Sequence, residues 1–355
     1  MRRRVRALAL ALALTLAGAS LSACGAPPDW VEPLARDLAR IDEASPGRLG
    51  VYLKHLGDGG ELRHAAERPW YLGSTVKVPI AVALLQTVEA GERTLKDEVE
   101  LREEDKVDGS GGLVWQAPGA RFTLAELLHE MLVESDNTAA NLLVRVIGED
   151  ALNRRTRDNA GRGFARLTGF TQVRRDLYGQ LHPDAAQLDN QALVEVAAAR
   201  LGRPRYEAVA RALSRDPGEL HVPSLEEAYA RYYDSGVNSA TLEAYGRLLE
   251  RLVSGELLAE QALEPLYAGM KLGRYEAYRL EAGLPREVPF LHKTGTQWER
   301  ACHVGVIAPQ APGQSDTVVV VACAEGLDEA AEAGALFERV GEAVARHLLA
   351  GRAGG

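Results

Sequence analysis

Apolar positions recur every three or four residues between Trp30 and Ala44, with Val31, Leu34, Leu38 and Ile41 on one face, which predicts a helix. Alternation then takes over. Leu49–Leu56 and Glu61–Ala66 flank Gly57-Asp58-Gly59-Gly60, a hairpin signal. Helical periods dominate from about residue 73 to 254, among them Leu124–Val133, Thr138–Val146, Asp184–Arg200 and Ala240–Val253. Strands return at Val288–Thr296, Ala301–Ile307 and Thr317–Cys323, and Leu327–Leu349 reads as a closing helix. Strands at both ends with helices between them predict one antiparallel sheet built from both termini and flanked by helices, with an all-helical lobe inserted. The cleft between the lobes is the natural place for a site.

The final hairpin sharpens this picture. A turn at Gln310–Ser315 is centred midway between Cys302 and Cys323, so the two cysteines should face each other across the strands. Either a disulfide or a reduced core pair satisfies that placement.

The amino terminus carries a different pattern. Arg2, Arg3, Arg4 and Arg6 precede the apolar stretch Ala7–Ser20, which is too short to span a membrane as a stable helix. Leu21-Ser22-Ala23-Cys24 follows and resembles the lipobox of bacterial lipoproteins, in which the cysteine is lipidated. Residues 1–23 are therefore expected to be a signal peptide and 24–32 a lipidated tether. Residues 33–72 with 288–355 would form the sheet lobe, and 73–287 the helical lobe. The expected location is the cell envelope or periplasm, with a membrane anchor at Cys24.

Composition excludes some classes. A net charge of -9 over 355 residues offers no basic stripe for nucleic acid. The histidines and cysteines show no metal-ligand spacing, so neither metal nor cofactor is expected. Only six lysines stand against 35 arginines: Lys54, Lys77, Lys96, Lys106, Lys271 and Lys293. Each is informative, because a lysine can act neutral and an arginine cannot.

Ser74-Thr75-Val76-Lys77 opens a helical run, placing a hydroxyl and an amine on one face. A serine needs a base to become a nucleophile, and a lysine serves only if its pKa is depressed. Pro79 sits early in that helix and is tolerable only near the first turn. Ser135-Asp136-Asn137 follows, then Lys293-Thr294-Gly295-Thr296 in the first C-terminal strand. These three signatures in this order resemble the penicillin-recognising serine hydrolases, the class A β-lactamases and penicillin-binding D,D-peptidases. The similarity covers about 50–170 and 235–350.

The resemblance implies a mixed α/β (α+β) fold of the β-lactamase/transpeptidase type. It makes Ser74 the nucleophile, Lys77 its proton acceptor and Ser135 the proton relay to the leaving nitrogen. Asn137 would hold the substrate's amide, and Lys293 with Thr294 its carboxylate. Backbone N–H groups of Ser74 and Thr296 would form the oxyanion hole. The expected partner is a β-lactam or a cell-wall peptide and the expected state a monomer. The first reading is a β-lactamase. A D,D-peptidase or penicillin-binding protein, and a silent envelope binding protein, are the alternatives.

The chain departs from the family in one respect. Class A enzymes deacylate with a glutamate in an E-x-x-L-N loop. That string occurs here as Glu149-Asp150-Ala151-Leu152-Asn153, but only 12 residues past Asn137, where an acid suits a helix start. The expected place reads Phe170-Thr171-Gln172-Val173-Arg174-Arg175-Asp176-Leu177, with Asp176 the nearest carboxylate. An insertion at about 177–234 adds Glu219, Glu226 and Glu227 as further candidates. His303 and Arg300 fall near the place of a carboxylate-binding arginine. Asp108-Gly109-Ser110-Gly111-Gly112 reads as a glycine-rich loop beside the cleft.

Overall fold

The computed structural model describes residues 26–270, 278–309 and 316–349. The expected signal peptide, Cys24 and the expected turn at Gln310–Ser315 lie outside the described residues. Helix α1 (Val31–Glu43) leads into strands β1 (Arg48–His55) and β2 (Glu61–His64), and then β3 (Pro69–Tyr71). Next come α2 (Lys77–Glu89), β4 (Glu98–Glu100), β5 (Arg121–Thr123), α3 (Leu124–Val133), α4 (Asn137–Ile147) and α5 (Glu149–Ala160). Then follow α6 (Phe170–Leu181), α7 (Asn190–Ala198), α8 (Arg203–Ala212) and α9 (Leu225–Asp234). The chain closes with β6 (Ser239–Thr241), α10 (Leu242–Val253), α11 (Glu260–Met270), β7 (Phe290–Gln297), β8 (Arg300–Ile307), β9 (Val318–Glu325) and α12 (Ala331–Val344).

The main sheet has the order β2-β1-β9-β8-β7, antiparallel throughout, so strands from both termini meet at its centre. Alternation sorts its side chains. Leu49, Val51 and Leu53 join a core with α1 and α12, in which Leu34, Leu38, Phe337 and Val340 are buried. Tyr52, Cys302, Val304 and Val321 face the opposite way, into the core of α2, α3, α4 and α10. Cys302 and Cys323 are register partners and form a disulfide. A cross-link of this loop length stabilises a chain by about 3 kcal/mol.

A third core, made largely from the inserted segment, gathers Leu177, Tyr178, Tyr206, Tyr229 and Tyr232 around Tyr71. The stretch that aligns with the family's loop is helical here, since α6 begins at Phe170.

Three expected helices start late, each stopped by a side chain that satisfies the backbone better outside the helix. Asp184–Arg200 is broken because Asp189 accepts from the Ala192 N–H at 2.8 Å, leaving a short 3-10 turn at Pro183–Gln187 before α7. Ala240–Val253 starts at Leu242, because Ser239–Thr241 pairs with β3 and Thr241 caps the helix. Leu327–Leu349 starts at Ala331, because the Asp328 carboxylate accepts from the N–H groups of Ala330 and Ala331.

Candidate active site

Ser74 lies in a 3-10 turn, Gly73–Val76, that runs directly into α2. Pro79 is the third residue of α2, in the first turn, where its missing N–H has no helical partner to lose. Strand β7 is the edge strand of the sheet and lies against this turn. Two glycines permit the approach. A Cβ on Gly295 would stand 2.2 Å from the Leu72 carbonyl oxygen and 3.0 Å from the Ser74 nitrogen. Gly73 has φ +54°, and a Cβ there would stand 2.9 Å from the Thr296 nitrogen. The backbones of Ser74 and Thr296 are thereby brought together, as a pair of oxyanion donors requires.

The Ser135-Asp136-Asn137 turn closes the opposite side. Ser135 is left-handed at φ +54°, and Asp136 caps α4 through the Ala139 N–H at 2.7 Å. This turn sets Ser135 Oγ between two buried amines, 3.1 Å from Lys77 Nζ and 3.0 Å from Lys293 Nζ. Lys77 also donates to the Ser135 carbonyl and, at 2.8 Å, to Asn137 Oδ1. Asn137 Nδ2 donates to the Asp108 carbonyl at 2.8 Å, and the Asp108 carboxylate is gripped by both arms of Arg174. Gly109 and Ser110 line the cleft, so the glycine-rich loop is part of its wall.

The charges are unusual. Burial, and then the nearby Lys293, holds Lys77 well below the ordinary lysine range, with Asp136 opposing them. Burial and then Arg279 bring Lys293 down to about 7. Arg279 was not singled out in the sequence. Its guanidinium donates to the carbonyls of Gly295 and Cys302 and, at 2.9 Å, to Thr296 Oγ1. It reaches them from a residue at φ +56° just before β7, in a stretch without periodicity.

The cleft encloses about 380 Å³. Ser74, Ser135, Asn137, Thr294 and Thr296 line it, with Tyr71, Thr168, Phe170, Val173, Arg174, Asn238 and Gln297 forming much of the remaining wall. No carboxylate is among the described residues that line it. The Phe170 ring stands 4.8 Å from Lys77 Nζ instead.

The candidate acids are accounted for elsewhere. Asp176 lies off the cleft and accepts from Gln172 at 2.7 Å. Glu219 caps the Asp216 N–H, Glu227 pairs with Arg231, and Glu226 is exposed. Glu149 accepts from the Gly169 N–H and from Arg166, while Asn153 both donates to and accepts from the Leu167 backbone. The E-x-x-L-N string is thus a clamp on segment 166–169.

Two further candidates fall outside the cleft. His303, the register partner of Thr294, is fully buried, bonded to His292 and the Leu280 N–H and covered by the Tyr278 ring. Arg300 stacks over Tyr233 and lies 3.4 Å from Glu325.

A beta-lactamase of Rhodobacter capsulatus is 36% identical over 137 residues, which is 37% of this chain and 44% of that protein. Beta-lactamase L2 of Stenotrophomonas maltophilia is 32% identical over 130 residues, 37% of this chain and 43% of that one. These matches therefore span less than half of the relatives' length. Among solved structures, PBP-A superposes with a TM-score of 0.65 at 18% identity, covering 89% of this chain and 95% of that one. A beta lactamase from Xanthomonas campestris gives 0.64 at 25% identity, covering 89% and 97%. The model of the beta-lactamase enzyme family matches residues 33–348. Since that match takes in both sheet segments and every helix between them, the chain belongs to the beta-lactamase enzyme family.

Proposed function

We propose that this protein opens β-lactam rings through an acyl-enzyme on Ser74. The observation that carries the reading is Ser135 Oγ held between two desolvated amines beside the paired backbones of Ser74 and Thr296. Neutral Lys77 accepts the Ser74 proton as Oγ bonds to the lactam carbonyl carbon. The oxyanion is held by the N–H groups of Ser74 and Thr296, each such donor lowering the barrier by about 3 kcal/mol. As the C–N bond breaks, Ser135 passes a proton to the nitrogen and takes the one that Lys77 accepted, which returns the amine to its neutral form. Lys293, Thr294 and Thr296 receive the carboxylate, with Arg279 adding positive charge behind Thr296. Asn137 keeps one amide proton for the substrate, the other being used by Asp108.

Intact mass after mixing with benzylpenicillin tests this. The protein should gain the whole mass of the antibiotic, on the peptide holding Ser74. A protein that neither turns the antibiotic over nor carries it would overturn the reading.

The absence of a carboxylate among the described residues lining the cleft favours a second outcome on the same machinery, a penicillin-binding D,D-peptidase acting on cell-wall stem peptides, whose acyl-enzyme waits for an acceptor. Glu149→Gln bears on where the base lies. It should leave acylation and turnover unchanged and lower stability by about 1 kcal/mol, because it weakens only the clamp on Arg166 and Gly169. Calorimetry and a chromogenic cephalosporin assay read the two effects, and a large loss of turnover would place Glu149 in the chemistry.

The arginines and apolar run before Cys24 support export and lipid anchoring at the envelope. Labelled palmitate should be incorporated in a bacterial host and lost in Cys24→Ser. Equal labelling of both would refute the anchor.

A further inference from the structure

We propose that Tyr278 is a positioning residue of the carboxylate subsite, its phenol orienting the Thr294 hydroxyl toward the substrate. This rests on the acylation reading above.

Tyr278 Oη lies 2.9 Å from Thr294 Oγ1. The tyrosine is 39% exposed, one of two exposed large hydrophobic side chains among the described residues, yet its ring is braced against buried His303 with centroids 6.2 Å apart. The ring is therefore anchored while the hydroxyl meets Thr294, which lines the cleft. Thr294 and Thr296 are two residues apart and share a face of β7. The consecutive residues Tyr278 and Arg279 take one threonine each, Tyr278 bonding to Thr294 Oγ1 and Arg279 to Thr296 Oγ1. The positive φ of Arg279 is what turns two neighbouring side chains onto the same strand face.

The two hydroxyls share one hydrogen bond, so only one of them donates in it. A carboxylate only accepts. Once Thr294 gives its proton to that carboxylate, the bond to the tyrosine survives only with Tyr278 as donor. The order Tyr278 to Thr294 to carboxylate follows, and each bond polarises the next toward an ionised acceptor. Without the phenol proton, the Thr294 hydroxyl turns freely and meets the anion in the right orientation less often.

The test is Tyr278→Phe, which keeps the ring against His303, studied with benzylpenicillin and its methyl ester. Non-covalent affinity is read by titrating the Ser74→Ala background, and the acylation step by stopped flow. We expect about three- to tenfold weaker binding of the acid, an unchanged acylation step, and no effect on the ester. Equal losses for acid and ester, no loss for either, or tighter binding of the acid would each overturn the proposal. A wild type that neither turns benzylpenicillin over nor carries it on Ser74 would remove the acylation reading and this inference with it, whereas turnover or an adduct without the acid–ester difference removes this inference alone.

Discussion

Ser74→Ala is expected to abolish covalent capture of benzylpenicillin outright, and Lys77→Met to slow it by about a hundred- to ten-thousandfold. The two losses differ in kind. Without the Ser74 hydroxyl there is no nucleophile, so intact mass should show no adduct at any time. Without the Lys77 amine the nucleophile remains but has nowhere to put its proton. A mutant lacking Ser74 that still acylates would sink the assignment. A Lys77→Met protein that acylates at the wild-type rate would return the base to another group.

Lys77 and Lys293 together give a pH signature. On the acylation reading Lys77 works neutral, so acylation should rise with pH through its depressed pKa. On the same reading Lys293 works charged, so capture of a carboxylate should fall as pH climbs past about 7. Benzylpenicillin should show a bell-shaped profile, and its methyl ester only the rising limb.

Much of this site was legible in the sequence because its chemistry is local. Ser74 and Lys77 are three residues apart, and the Ser135 turn and the Lys293 strand each carry their motif in consecutive residues. The facing of Cys302 and Cys323 was also legible, because a hairpin turn fixes strand register. Arg279 was not. It is one arginine among 35, in a non-periodic stretch, and it reaches the site through a left-handed backbone that no spacing rule announces. His303 and Arg300 had the right strand but other partners, since position along a strand does not say which group a side chain will meet. The helix α6 was hidden for a related reason. Its first turn falls where the family resemblance puts a loop, and its buried face, with Val173, Leu177 and Leu181, finds a partner only in the inserted core.

Phe170→Glu is expected to shorten the life of the acyl-enzyme by at least about a hundredfold. In the wild type the ring stands 4.8 Å from Lys77 Nζ, and the described residues lining the cleft offer no carboxylate to activate water. The adduct on Ser74 should therefore accumulate and persist. A glutamate at position 170 would put an acceptor on the wall beside the acyl carbon and the amine. It carries a cost of known sign. An anion near Lys77 stabilises its protonated form and raises its pKa, so acylation should slow at low pH while deacylation gains. Phe170→Gln separates the base from mere opening of the wall, since it has a similar polar reach without basicity and should leave the adduct long-lived. Time-resolved intact mass and steady turnover of a chromogenic cephalosporin read both steps. Rapid wild-type turnover without an accumulating adduct would show that a base reaches the acyl carbon from elsewhere. Equal adduct lifetimes for wild type and Phe170→Glu would show that the missing carboxylate does not limit hydrolysis, and control of the lifetime would then pass to how water enters the cleft.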